Sequence, residues 1–85
     1  MADSEMLASV KAALGVSGNN FDTTLSGYID TVTAYMSRAG VSAALIADSA
    51  FIVSRGVNDI WNNDGAAKFS PLFCDMVTQL VLSSR

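Results

Sequence analysis

The sequence predicts an all-α fold, a single small four-helix domain over residues 1–85. Four segments carry apolar residues at steps of three and four, the spacing that places side chains on one face of a helix. Glycine-containing breaks at Gly15, Gly40 and Gly65 separate these segments. The chain is 51% hydrophobic and 15% charged, a composition typical of folded proteins, and 85 residues are too few for a second domain.

The first two segments predict helices that end at a glycine. The first helix covers about residues 4–14, and Gly15 follows at the position where a left-handed residue commonly ends a helix. The second helix covers Asp22–Ala39 and stops before Gly40. Its apolar stripe is the longest in the chain and consists of Phe21, Leu25, Tyr28, Ile29, Val32, Tyr35, Met36 and Ala39.

The third segment predicts one continuous helix that is capped by Ser42 and ends near Asn62. Its main stripe consists of Ile46, Ala50, Val53, Val57 and Ile60. Other apolar residues, including Phe51, lie on neighbouring faces of the same helix. A helix that is apolar on more than one face is buried on two sides, either within a bundle or between the bundle and another subunit.

The fourth segment begins with a double helix-start signal, Ser70 as the N-cap and Pro71 at the first helical position. Its stripe consists of Leu72, Phe73, Met76, Val77, Leu80 and Val81.

Charged residues near the ends of the predicted helices complement the helix dipoles, whereas Arg55 lies inside the third helix. A solvated face is the default interpretation of Arg55, and an ion pair across a subunit boundary is the alternative.

The composition favours an oligomer. The core of so short a chain rarely provides more than roughly 3–5 kcal/mol of stability. Cys74 is the only cysteine, so no intramolecular disulfide can add to it. A mean hydropathy of +0.36 then suggests a second apolar face that a partner covers.

The charge distribution argues against a nucleic-acid binder. The net charge is −3, and five basic residues spread over the chain form no stripe that could neutralise phosphates. The sequence also contains neither a basic leader nor an apolar run of about 18 residues, so we expect a soluble, cytosolic chain without a membrane segment.

The residue inventory disfavours catalysis. Histidine is absent, which removes imidazole bases, histidine-containing triads and His-containing metal motifs. We therefore expect no enzyme activity, no metal and no cofactor, with Cys74 buried as a small apolar side chain.

The pair Asp48-Ser49 in an acidic helical domain also looks like the modified serine of an acyl carrier protein. We disfavour that alternative because Ser49 is predicted to lie two turns inside the third helix.

The connection between the third and fourth helices concentrates residues that are typical of contact sites. It contains the aromatic residues Trp61 and Phe69, the cation Lys68 and the amide of Asn62. The structural alternative is that Trp61 closes one end of the bundle while Asn62 or Asn63 caps the third helix.

Two neighbouring motifs are the most specific in the chain, Asp59-Ile60-Trp61-Asn62 and Lys68-Phe69-Ser70-Pro71. Weaker matches to the same pattern are Leu7, Val10-Lys11, Leu14-Gly15, Phe21-Asp22, Leu25, Ile29-Asp30, Ala34-Tyr35, Gly40, Val57-Asn58, Phe73 and Gln79-Leu80. With these residues the chain resembles, over nearly its full length, the small helical head-tail connector proteins of long-tailed bacteriophages and prophages. These proteins are also called adaptor or DNA-packaging connector proteins.

The resemblance implies a non-enzymatic virion protein whose domain packs side by side into a ring of about twelve copies. Such a ring is made in the bacterial cytoplasm, attaches beneath the portal protein in the phage neck, extends the DNA channel and meets the next neck or tail-completion protein. DNA passes through without specific binding, which agrees with a negative net charge. From the residues alone, the alternative is a generic dimeric interaction module such as a small regulator. The residues that we expect at subunit or portal contacts are Trp61, Asn62, Lys68, Phe69, Pro71, Arg55 and Arg38.

Overall fold

A computed structural model describes residues 4–66 and 68–83, and within these ranges the regular structure is entirely helical. The helices are α1 (Ser4–Leu14), α2 (Asp22–Ala39), α3 (Ala43–Ala47), α4 (Ala50–Asn62) and α5 (Pro71–Ser83). The predicted all-α class is confirmed. The bounds of α1 and α2 and the start of α5 agree with the sequence analysis.

Helices α2 and α4 form the centre of the bundle, and α1 packs mainly against α4. Ser54 of α4 faces a groove shared with α1, whereas Gly56 of α4 contacts Phe73 of α5. Two residues along a helix are about 200° apart around its axis, so α1 and α5 lie on opposite sides of α4. The largest fully buried side chains are Phe73, Leu25, Ile29, Met36, Ile60, Val10, Val32, Val53 and Val57.

Local signals in the sequence determine several helix ends. Gly40 has a φ of 109°, in the left-handed region that glycine adopts without steric cost, and it terminates α2. The Leu45 N–H donates to the Ser42 hydroxyl at 3.2 Å, and the Phe73 N–H donates to the Ser70 hydroxyl at 3.3 Å. Both predicted N-caps are therefore confirmed.

The prediction of one continuous third helix is wrong, because the chain breaks between α3 and α4. Ser49, which the sequence predicts inside that helix, lies at the break. Its hydroxyl donates to the Leu45 carbonyl at 2.7 Å. A serine side chain competes with helical backbone bonding through such a local hydrogen bond, which accounts for a break at Ser49.

Lys11 connects the end of α1 to the start of α2. Its ammonium group donates to Asp22 Oδ1 at 2.7 Å and also to the Gly18 carbonyl. Both charged side chains are partly buried. The ion pair thus closes the α1–α2 loop and fixes the end of α1, which forms one wall of the groove on α4.

Candidate interaction surface

Trp61, one of the predicted contact residues, belongs to an aromatic group at the end of α4. Its ring centroid lies 5.2 Å from that of Phe21 and 6.5 Å from that of Tyr28, and both pairs are edge-to-face. Such pairs contribute about 0.5–1.5 kcal/mol each beyond the area that they bury. Trp61 therefore packs across the end of α4 onto the start of α2, and part of its surface stays exposed.

Phe69, the second predicted aromatic contact, belongs to a different group. Its ring centroid lies 5.0 Å from that of Tyr35 and 4.7 Å from that of Phe73. Phe69 is half-buried, so it attaches the segment before α5 to the core while keeping some exposed surface. Trp61 and Phe69 do not form a single patch; each holds one end of the α4–α5 connection.

The remaining predicted contact residues are exposed, namely Asn62, Lys68, Pro71, Arg38 and Arg55. Among them, Arg55 lines the groove between α1 and α4. The other four lie outside that groove, so the structure does not bring the whole predicted set together. Their role in subunit or portal contacts stays a prediction.

Asp59 joins the two specific motifs of the sequence. Its Oδ2 accepts hydrogen bonds from the Ser70 N–H and from the Ser70 hydroxyl, both at 3.0 Å. The same hydroxyl oxygen caps α5 by accepting from Phe73 N–H. A carboxylate near the end of α4 thus fixes the residue that starts α5, which is a physical reason for the two motifs to occur together.

Replacing Asp59 with alanine is expected to lower the free energy of unfolding by about 1–3 kcal/mol, because the half-buried Ser70 loses a charged acceptor. Urea denaturation followed by circular dichroism measures this change. Asp48→Ala removes an exposed carboxylate and serves as the matched control, with an expected change within about 0.5 kcal/mol. Equal losses in the two variants would show that the Asp59–Ser70 hydrogen bonds do not stabilise the fold.

Three large apolar side chains on α4 and α5 are exposed. The exposed fractions are 77% for Phe51, 53% for Leu72 and 55% for Leu82. Leu72 corrects the sequence analysis, which places it in the apolar stripe of the fourth helix. Phe73 occupies the core position, and adjacent helical residues are about 100° apart, so Leu72 faces outward. Phe51 and Leu82 lie outside the predicted stripes. That position alone could have identified both side chains as exposed from the sequence.

Phe51 lies at the edge of the groove between α1 and α4, which encloses about 210 Å³. The lining residues are Ala13, Leu14, Phe51, Ser54, Arg55 and Asn58. The Ser54 hydroxyl is engaged within α4, where it donates to the Ala50 carbonyl at 2.7 Å. Apolar walls beside a guanidinium and an amide are typical of a protein contact surface, in which aromatic residues and arginine are enriched.

Cys74 lies beside a phenol. The Tyr35 hydroxyl donates to the Cys74 sulfur at 3.7 Å. This hydrogen bond, together with burial, raises the pKa of Tyr35 above its ordinary value of 10.0. The folded state therefore favours the neutral phenol, and the resulting stabilisation is fully present below about pH 10 and is lost as the pH rises through the raised pKa. A neutral phenol provides no general base near neutral pH.

Within residues 4–66 and 68–83, no three His, Cys, Asp or Glu side chains are grouped in a way that could hold a metal ion. In the same described part of the chain, no helix combines the length and apolar character needed to cross a bilayer. Comparisons with protein-family models, curated proteins and solved structures found no match to this chain.

Proposed function

We propose that this chain is a non-enzymatic structural protein of a bacteriophage or prophage neck. It assembles into a homo-oligomeric ring beneath the portal protein, extends the DNA channel and joins the head to the next neck or tail component. The observation that supports assembly is the exposure of Phe51 at the edge of the α1–α4 groove. Covering an exposed phenylalanine contributes about 1.5–3 kcal/mol, so this surface favours association with a partner.

A second exposed apolar surface supports self-association. Leu72 and Leu82 are exposed on α5, a different helix from the one that carries Phe51. A subunit with two distinct contact surfaces can bind two neighbours at once. Repeated contacts between unlike surfaces produce a ring when the rotation between subunits closes.

The assignment to a phage neck rests on the resemblance carried by the two motifs that Asp59 and Ser70 connect. The charge of the chain is compatible with it. With a net charge of −3, carboxylates that face a DNA channel would repel phosphates rather than retain them. A neck ring needs this property because DNA must leave the head through its channel.

Native mass spectrometry over a protein concentration series tests the proposal. We expect a closed assembly of about a dozen subunits, formed either by the protein alone or after addition of portal protein. A chain that stays monomeric in both conditions would contradict the proposal. Tight binding of duplex DNA at physiological salt would contradict the passive channel.

Mass spectrometry also separates the proposed ring protein from the two alternatives, a dimeric regulator and an acyl carrier. A dimer that does not grow with concentration is the result expected of a small helical regulator. An acyl carrier would gain mass at Ser49 after incubation with a phosphopantetheinyl transferase. We expect no gain, because Ser49 is buried and its hydroxyl is bonded to the Leu45 carbonyl.

A further inference from the structure

Two exposed stripes on α4 and α5 share the same arrangement of an apolar and a charged residue. The α4 stripe consists of Phe51 and Arg55, and the α5 stripe consists of Leu72, Asp75 and Leu82; all five side chains are exposed. Arg55 follows Phe51 by four residues and Asp75 follows Leu72 by three. Each step is about one helical turn, which places the two side chains about 5–6 Å apart on the surface.

The charges of the two stripes are opposite and available. Neither Arg55 nor Asp75 forms an ion pair within the described part of the chain; the ion pair found in that part joins Lys11 and Asp22. Because each offset is about one helical turn, a parallel alignment of the two helices places Phe51 beside Leu72 and Arg55 beside Asp75. The stripes are therefore complementary in charge and in apolar surface.

This pairing cannot form within one subunit. Helices α4 and α5 of the same chain meet through Gly56 and Phe73. Gly56 is about 140° around the α4 axis from Phe51, and Phe73 is about 100° around the α5 axis from Leu72. Both stripes face away from the intramolecular contact, so each is available only to another molecule.

We propose that the partner is a second copy of this chain: the α4 stripe of one copy binds the α5 stripe of the next. The inference rests on the proposed self-assembly and specifies the contact that builds it. The contact joins unlike surfaces, so an open oligomer always retains a free α4 stripe at one end and a free α5 stripe at the other. Association of this type adds further copies until the ring closes.

Two charge reversals test the pairing, Arg55→Asp in one variant and Asp75→Arg in the other. Each variant alone places like charges together at every contact, which we expect to weaken association about tenfold or more. In an equimolar mixture, every contact between the two variants is again between opposite charges. We therefore expect the mixture to assemble, with the two variants present in equal numbers in native mass spectra, and the double variant in one chain to assemble alone.

Asp48→Arg is the matched control for Asp75→Arg, since it makes the same charge change at an exposed site outside both stripes and is expected to assemble like the parent chain. Circular dichroism checks that all variants fold. If the parent chain assembles while the single reversals assemble equally well, or while the mixture stays dissociated, this pairing is wrong and the proposed self-assembly stands. If the parent chain itself stays monomeric, with and without portal protein, the proposed function fails and the pairing fails with it.

Discussion

Replacing Phe73 with alanine is expected to lower the free energy of unfolding by about 3–5 kcal/mol. Phe73 is fully buried, and its ring contacts Gly56 of α4 and the rings of Tyr35 and Phe69. Alanine would leave a cavity where α2, α4 and α5 meet. The core of a domain of 85 residues rarely provides more than roughly 3–5 kcal/mol of stability, so we expect the variant to lose much of its helix content at physiological temperature.

Urea denaturation at a protein concentration low enough to keep subunits apart measures this change without a contribution from association. Phe73→Leu keeps part of the side-chain volume and is expected to remain folded, which provides a measurable value even if the alanine variant unfolds. Leu72→Ala is the matched control at the neighbouring exposed position, with an expected change within about 0.5 kcal/mol. Similar losses at positions 72 and 73 would contradict the placement of the ring in the core.

Gly56→Ala is expected to lower the free energy of unfolding by about 1–2 kcal/mol, although alanine is the better helix former. A Cβ atom at this position would lie 2.7 Å and 2.9 Å from two ring carbons of Phe73 and 2.9 Å from Cγ1 of Val32. These side chains are fully buried and have little room to move. The steric cost therefore exceeds the gain in helix propensity of about 0.5–1 kcal/mol.

Gly27→Ala provides the control, because Gly27 also lies within a helix but its added Cβ would meet no atom within 4 Å. We expect that variant to gain about 0.5–1 kcal/mol. Thermal denaturation is sensitive enough to separate the two variants, since about 1 kcal/mol corresponds to roughly 4–8 °C in a domain of this size. If Gly56→Ala were stabilising as well, the close approach of α4 and α5 would be wrong. In a double variant, Phe73→Leu is expected to reduce the steric cost of Gly56→Ala, because leucine leaves room for the added Cβ atom.

Helix ends were predictable where a local signal determines them. Gly40 ends α2 because the left-handed conformation favours glycine, and Ser70 with Pro71 starts α5 because one side chain caps the helix and the other suits its first turn. These effects depend on one or two neighbouring residues, so the sequence contains all the information that they require. The break at Asp48-Ser49 depends on a competition between two local bonding patterns of similar energy, and an apolar stripe that continues through it gives no warning.

The candidate site was only partly predictable, because it depends on which face of each helix the bundle covers. The sequence singles out Trp61 and Phe69 by their chemistry, and the structure places them in two separate, half-buried groups. The sequence gives no comparable signal that Leu72 is exposed, since either Leu72 or Phe73 could fill the core position that Phe73 takes. Exposure of an apolar residue is a property of the packed bundle rather than of the periodic pattern.

The packing of α1 against α4 has a consequence for the order in which this chain can fold. Residues 15–49 lie between the two helices, so α1 leaves the ribosome well before the surface on which it docks. At about 5–20 residues per second, α4 is completed roughly 2–10 seconds after α1. The buried side chains of α1, among them Val10, lack their main partner during that interval. Docking of α1 is therefore a step of large sequence separation that has to wait for α4.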